Sequence, residues 1–253
     1  MPRIARKNFI SKFHHVIVQG INKEYIFKNS QYINTYKNII LKKLEKSDIT
    51  ILSYCIMNNH AHFLIYSANI ENLSKFMQRI NTSYSKYYNK ENNRVGYVFR
   101  DRYYTQEILD KNQLYNCMRY IHNNPVKAGI VKNFSEYKYS SYNEFTGDGK
   151  IINSESIKLL FGTSKTYINQ FNQIHKVFKE ESFADVDKKE KSIKDFIIEE
   201  EKRYGKKIKD IKCEKKVVKE IVKKARVQTD VTIKELATIF EIPKSTIARY
   251  CKE

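Results

Sequence analysis

An α+β fold followed by a small all-α domain is what this chain predicts, and three observations predict it. The first half alternates β-branched and aromatic runs with amphipathic stretches, in the order β-α-β-β-α-β. The last quarter loses that alternation and becomes lysine-rich with helical periodicity. The length, 253 residues at 41% hydrophobic, suffices for two cores.

The elements follow in order. "KFHHVIVQGI" at 12–21 reads as a strand closed by a glycine turn. From Gln31 to about Lys46, Ile33, Tyr36, Ile40 and Leu44 recur at helical spacing. "ITILSYCIMN" from Ile49 and "HAHFLIY" from His60 are two strands joined through Asn58 and Asn59, hence a hairpin. Leu73, Phe76, Ile80, Tyr84 and Tyr87 share one face of a second helix, with Asn69 or Asn72 as its cap. "GYVFRDRYYTQEI" at 96–108 predicts a fourth strand, and the whole matches a ferredoxin-like antiparallel sheet with both helices on one face. "NQLYNCMRYIHNN" at 112–124 predicts a helix that Pro125 stops, and "YKYSSYNEFTGDGK" at 137–150 an irregular segment ending in a turn. The first domain is therefore placed at 1–150, a linker or extension at 151–187, and a basic helical domain at 188–253.

Lys and Arg outnumber Asp and Glu 47 to 28, a net charge of +19. That excess points to an anionic partner, nucleic acid above all. An AT-rich codon supply enriches lysine but does not by itself create the imbalance. Cys55, Cys117, Cys213 and Cys251 are scattered without a C-x-x-C pair, which argues against a zinc ribbon or a disulfide framework. No apolar run approaches the ~18 residues of a membrane span, so a cytoplasmic, nucleoid-associated protein without membrane contact is expected.

The stretch that asks for a chemical explanation is "CIMNNHAHFLIY". On a strand, His60 and His62 project to one side with Cα atoms ~6.6 Å apart, and two imidazoles at that spacing can share a metal ion. Two solvated side chains are the competing reading. On the following helix Tyr120 and Asn124 are four residues apart and share a face. The phenol and amide of one helix and the imidazoles of one strand can thus converge on a single metal and phosphate.

"MNNHAHFLI" resembles the histidine-hydrophobic-histidine (HUH) motif of the single-tyrosine transposases, and "RYIHNNPVKAGIV" at 119–131 resembles their catalytic helix and the turn after it. The N-terminal "MPRIARKNFISKFHHVIVQGINKEYIF", "GYVFRDRY" and "YKYSSYNEF" are similar to the branch that includes the REP-associated tyrosine transposases, so the resemblance covers about 1–145. It implies that His60, His62 and Asn124 are metal ligands and Tyr120 the nucleophile. The implied reaction is metal-dependent cleavage and rejoining of single-stranded DNA through a 5′-phosphotyrosine. Mg²⁺ or Mn²⁺ is the implied metal; two imidazole ligands by themselves suit manganese or zinc. Single-stranded or hairpin DNA is the implied partner, and a homodimer is an implied assembly, since relatives differ on whether the tyrosine helix serves its own chain.

Arg100, Arg102, Arg119 and Lys127 flank this site and are candidates for gripping phosphates, against the reading of solvated charges. Tyr103 and Tyr104 offer surfaces for base stacking. Tyr115 is expected to pack and His122 to meet solvent or DNA backbone; His14 and His15 face opposite ways on the first strand, so one of them could face the site, with core or DNA-contact roles the expectation for both. In the C-terminal segment, helices at about 233–240 and 244–251 flank a turn containing Pro243, which resembles a helix-turn-helix. Many such motifs carry glycine where this chain has Glu241. Lys244, Ser245, Thr246 and Arg249 are the candidates to face DNA, and a helical hairpin that merely packs on its neighbour is the alternative. At the level of the whole chain the alternative is a DNA-binding regulator derived from a transposase, which binds hairpins without cutting.

Overall fold

The computed structural model describes residues 9–147, 149–163, 166–176, 183, 193–211, 214–228, 231 and 233–252. Two compact units divide them, one within 5–186 and the other within 187–253.

In the first unit, β1 (Phe13–Gln19), β2 (Ile49–Ile56), β3 (His60–Ser67) and β4 (Tyr104–Ile108) form one sheet in the order β2-β3-β1-β4. Every neighbouring pair is antiparallel. Helix α1 (Ser30–Leu44) connects β1 to β2, and α2 (Ile70–Glu91) connects β3 to β4. Both begin at asparagine caps: the Asn29 side chain accepts from the Gln31 N–H, and the Asn69 side chain from the Asn72 N–H. The two helices pack through aromatic rings. Tyr36 of α1 lies 4.9 Å from Tyr84 and 6.3 Å from Phe63, and its hydroxyl donates to Asn81 Oδ1 at 2.9 Å. Phe63 thus faces α1, and because strand side chains alternate, His60 and His62 face the other way.

That second face is covered by α3 (Lys111–Lys127), which packs on β2 and β3. Asp110 caps its start by accepting from the Gln113 N–H. The helix was expected to stop before Pro125; it runs one turn further, with Pro125 inside it. The stop is set by Gly129 at φ 69°. The Ile130 N–H donates to the Pro125 carbonyl and the Gly129 N–H to Val126, which is a Schellman closure requiring a left-handed residue at Gly129. A proline in a last turn forfeits one helical hydrogen bond, and here closure by glycine outweighs it. Asn124 therefore stays helical, and its carbonyl accepts from the Ala128 N–H.

The predicted strand at 96–108 is also shorter, regular only from Tyr104 to Ile108. Phe99 bridges to Gly20 and Tyr104 pairs with Ile17. Five residue steps on one side oppose three on the other, so the exposed Asp101 and Arg102 bow out of the ladder. The irregular 137–150 segment closes the β2 edge: Ile56 N–H donates to the Tyr139 carbonyl, Ser141 N–H to Tyr54, and Tyr137 hydroxyl to Ile56. Beyond it, α4 (Ser154–Phe161) and α5 (Tyr167–Lys176) belong to the same unit. Their Leu160, Phe161 and Phe171 join its core.

The second unit holds α6 (Ile193–Tyr204), α7 (Ile208–Ile211), α8 (Lys215–Gln228), α9 (Ile233–Phe240) and α10 (Lys244–Lys252). Phe196, Val218, Val222, Leu236, Phe240 and Ile247 are among its core residues. Glu241 takes φ 54°, and the Ile242 N–H donates to Ala237 while the Glu241 N–H donates to Thr238. This is again a Schellman closure, now with a residue that has a Cβ to strain and a negative charge at a helix C-terminus. Glu241→Gly is expected to stabilise the protein by about 0.5–1 kcal/mol in urea unfolding; a destabilised variant would contradict the assigned turn.

Candidate active site

The four residues implied by the HUH resemblance come from two elements. β3 places His60 and His62 on one face, and α3 lays Tyr120 and Asn124 over it. The Tyr120 ring lies 5.8 Å from His62 and 5.7 Å from His15, near-perpendicular to both. His60 and His62 are 4.9 Å apart, ring to ring. All four residues are buried, with Tyr120 at 6% exposure. Phe183 packs on the Tyr120 ring at 5.4 Å, and the Lys127 ammonium stands 4.7 Å from the same ring's centre.

The protonation states suit metal ligation. Burial first, then the neighbouring His60 and His15, holds His62 well below the usual imidazole pKa. Burial takes His15 down to about 3. Both rings are therefore neutral near pH 7, the form in which imidazole ligates. Asn59 Oδ1 accepts from His60 Nδ1 at 2.6 Å, which leaves the lone pair of that ring on Nε2. His62 Nε2 and Asn124 Nδ2 are buried without a hydrogen-bond partner, a costly state that a ligand relieves. The imidazoles of His60 and His62 are donors of the kind that take a divalent ion, while the unpartnered Asn124 nitrogen is an N–H donor that suits an acceptor such as a phosphate oxygen, leaving its Oδ1 as the atom that could join the two rings. Cys55, opposite His62 in the sheet, does not join them: burial drives its thiol pKa up, so it is no thiolate. Among the described residues, no group of three or more His, Cys, Asp and Glu side chains is arranged to hold a metal.

The flanking candidates are placed differently from one another. Lys127 is exposed and sits over Tyr120. Arg119 is engaged by α3 and α5, donating to Asn116 Oδ1 at 2.6 Å and the Ile174 carbonyl at 3.1 Å. Arg100 and Arg102 are exposed in the bowed segment before β4. Tyr103 is buried with its hydroxyl bonded to Ser74, and Tyr104 is 39% exposed. Tyr115 packs as expected, stacked on Phe161 with its hydroxyl donating to Leu160. His122 was expected at solvent or DNA; it is fully buried between Ser141 and His175, because α5 covers that part of α3. In the second unit Lys244, Ser245 and Arg249 are exposed along α10, with Thr246 half-buried.

Gln19 escapes sequence reading, and of His14 and His15, one of which could face the site, it is His15 that does. His15 lies against His62 and Tyr120, and Gln19, opposite His60 in the β1–β3 register, is buried with neither amide atom partnered. The available signal was the alternation of β1, which puts His15, Ile17 and Gln19 on one face, but the register against β3 was needed to use it.

A sheet face bearing a histidine pair beneath a helix that carries a tyrosine and an amide is the arrangement expected from the resemblance to single-tyrosine transposases. The family model described as "Transposase IS200 like" matches residues 9–124, a span that includes His60, His62, Tyr120 and Asn124. A Haemophilus influenzae protein described as a REP-associated tyrosine transposase is 26% identical over 140 residues, covering 51% of this chain and 78% of that protein. A solved structure of a REP-associated tyrosine transposase bound to a REP hairpin aligns with TM-score 0.48 and 19% identity, covering 57% of this chain and 84% of that one. Among the described residues no helix is long and apolar enough to cross a membrane.

Proposed function

We propose that the protein is a metal-dependent DNA strand transferase that cleaves and rejoins single-stranded or hairpin DNA, with Tyr120 as nucleophile. The observation that carries this reading is the placement of the Tyr120 ring 5.8 Å from His62 within one chain, so that the site needs no second copy to supply its tyrosine. His60, His62 and Asn124 would hold the ion, Mg²⁺ or Mn²⁺. The ion supplies Lewis-acid stabilisation of phosphate oxygens.

The protein's own groups supply the rest. The Tyr120 oxygen attacks phosphorus and gives up its proton to water, while the bond to the 3′ oxygen breaks and that oxygen takes up a proton from water. The products are a 5′-phosphotyrosine and a free 3′-hydroxyl, and attack of such a hydroxyl on the phosphotyrosine rejoins the strand. Lys127, whose ammonium stands 4.7 Å from the centre of the Tyr120 ring, places a positive charge beside the nucleophile where a phosphate would bind. The orphaned Gln19 amide lies on the same face and offers a donor to a phosphate oxygen. Because phosphodiester is exchanged for phosphodiester, no nucleotide cofactor is needed.

The second unit is assigned to duplex DNA, with α9 and α10 as a helix-turn-helix that targets the first. Lys244, Ser245, Thr246 and Arg249 would face the groove or phosphates. If so, Lys244→Ala and Arg249→Ala each weaken duplex binding and lower the log–log salt slope by about 1. Unchanged affinity in both, measured across a salt series, would leave the pair a packing element.

The test of the whole reading incubates the full-length protein with labelled hairpin oligonucleotide and Mn²⁺ or Mg²⁺. A covalent protein–DNA adduct that survives denaturation is expected. Hairpin binding without an adduct favours the regulator instead, a reading to which the burial of Tyr120 beneath Phe183 lends some weight.

A further inference from the structure

His62 has two ring nitrogens with different fates. Nε2 is buried without a partner. Nδ1 faces Nε2 of His15 at 3.1 Å, with the two rings stacked at 5.3 Å and 13°. A single proton occupies that contact, and its position decides what His62 can do. If it resides on His15, His62 Nδ1 is the acceptor and Nε2 carries the ring's own hydrogen, which leaves no lone pair for a metal. If it resides on His62 Nδ1, that nitrogen donates to His15 and Nε2 presents its lone pair.

The other proposed ligand is arranged in the second way, since Nδ1 of His60 is held by Asn59. His15 is no ligand of the same ion, because its Nε2 is turned to the back of the His62 ring. Its own Nδ1 is buried without a partner. We infer that His15 is a positioning residue: as a hydrogen-bond acceptor it holds the proton on His62 Nδ1, fixes the ring against the sheet, and so directs Nε2 to the metal. This rests on the proposed metal-dependent reading of the same site. An outer partner of this kind typically contributes 10–100-fold in metal affinity.

The experiment measures Mn²⁺ binding to the full-length protein by calorimetry and electron paramagnetic resonance, without DNA. His15→Phe keeps the ring shape and removes the acceptor; its Mn²⁺ affinity is expected to fall about 10–100-fold. His15→Gln, whose Oε1 can reach the place of Nε2, is expected to recover most of the loss. Wild-type affinity in a folded His15→Phe protein overturns the inference and leaves the metal-dependent reading standing. Absence of Mn²⁺ binding in the wild type overturns both. Should His15→Phe fail to fold, ¹⁵N shifts of the histidine rings in the Zn²⁺-loaded wild type decide: a proton on His62 Nδ1 is the expected result, and a proton on Nε2 refutes it.

Discussion

Tyr120→Phe is expected to abolish covalent capture of hairpin DNA, by at least about 10³-fold, while the folded protein still binds the hairpin. The variant deletes one oxygen and keeps the ring that packs on His62, His15 and Phe183, so the loss reports chemistry and not packing. Other tyrosines of this face are poor substitutes. The Tyr115 hydroxyl is tied to the Leu160 carbonyl and the Tyr137 hydroxyl to the Ile56 carbonyl, each at 2.9 Å. Tyr115→Phe, on the same helix, is accordingly expected to form adduct at the wild-type rate. Denaturing gels of the labelled hairpin with the three proteins check both statements. Adduct from Tyr120→Phe at the wild-type level would assign the nucleophile elsewhere and detach the chemistry from the His60–His62 face.

The parts of this site that sequence could reveal are those governed by local periodicity. Alternation along a strand puts His60 and His62 on one side whatever the strand packs against, and the helical repeat does the same for Tyr120 and Asn124. Non-local facts were out of reach. The partnership of His15 with His62 follows from the register of β1 against β3, and the burial of His122 from the docking of α5 near α3. Nothing in a helix pattern announces either. The end of α3 was misplaced for a different reason: two stop signals four residues apart, Pro125 and Gly129, competed, and only the backbone bonds of Ile130 and Gly129 show which one closes the helix. Glu241 reverses the lesson. Its departure from glycine counted against the turn, yet the backbone takes the left-handed conformation regardless, at a cost the Glu241→Gly variant measures.

The fold should also be acid-labile, losing stability as pH falls from about 6.5 towards 4. His122 and His175 form a relay with one proton per contact. His175 Nδ1 donates to the Phe171 carbonyl at 2.8 Å, so its Nε2 must accept from His122 Nδ1 at 2.8 Å, and His122 Nε2 then accepts from the Ser141 hydroxyl at 2.7 Å. A second proton on the pair would place a charge in a buried site, and burial opposes that. Burial accordingly lowers His175 to about 4 and, with His175 beside it, His122 well below the ordinary value. His62 and His15 are lowered in the same way. Unfolded, each imidazole titrates near 6.5. Below that pH the unfolded chain takes up protons that the folded chain refuses, so unfolding is favoured by up to about 1.4 kcal/mol per pH unit for each such ring. Above about pH 7 these groups are neutral in both states and contribute no slope. Carboxylates act lower in the range: burial raises Glu144, but the Tyr54 hydroxyl, the Ile152 N–H and Lys37 outweigh it and leave its pKa below the ordinary value. Urea midpoints of the metal-free protein between pH 7.5 and 4.5 are thus expected to fall steeply. His175→Gln should flatten the slope by removing one of these rings. A midpoint independent of pH across that window would mean that the buried rings are hydrated or already charged in the native protein.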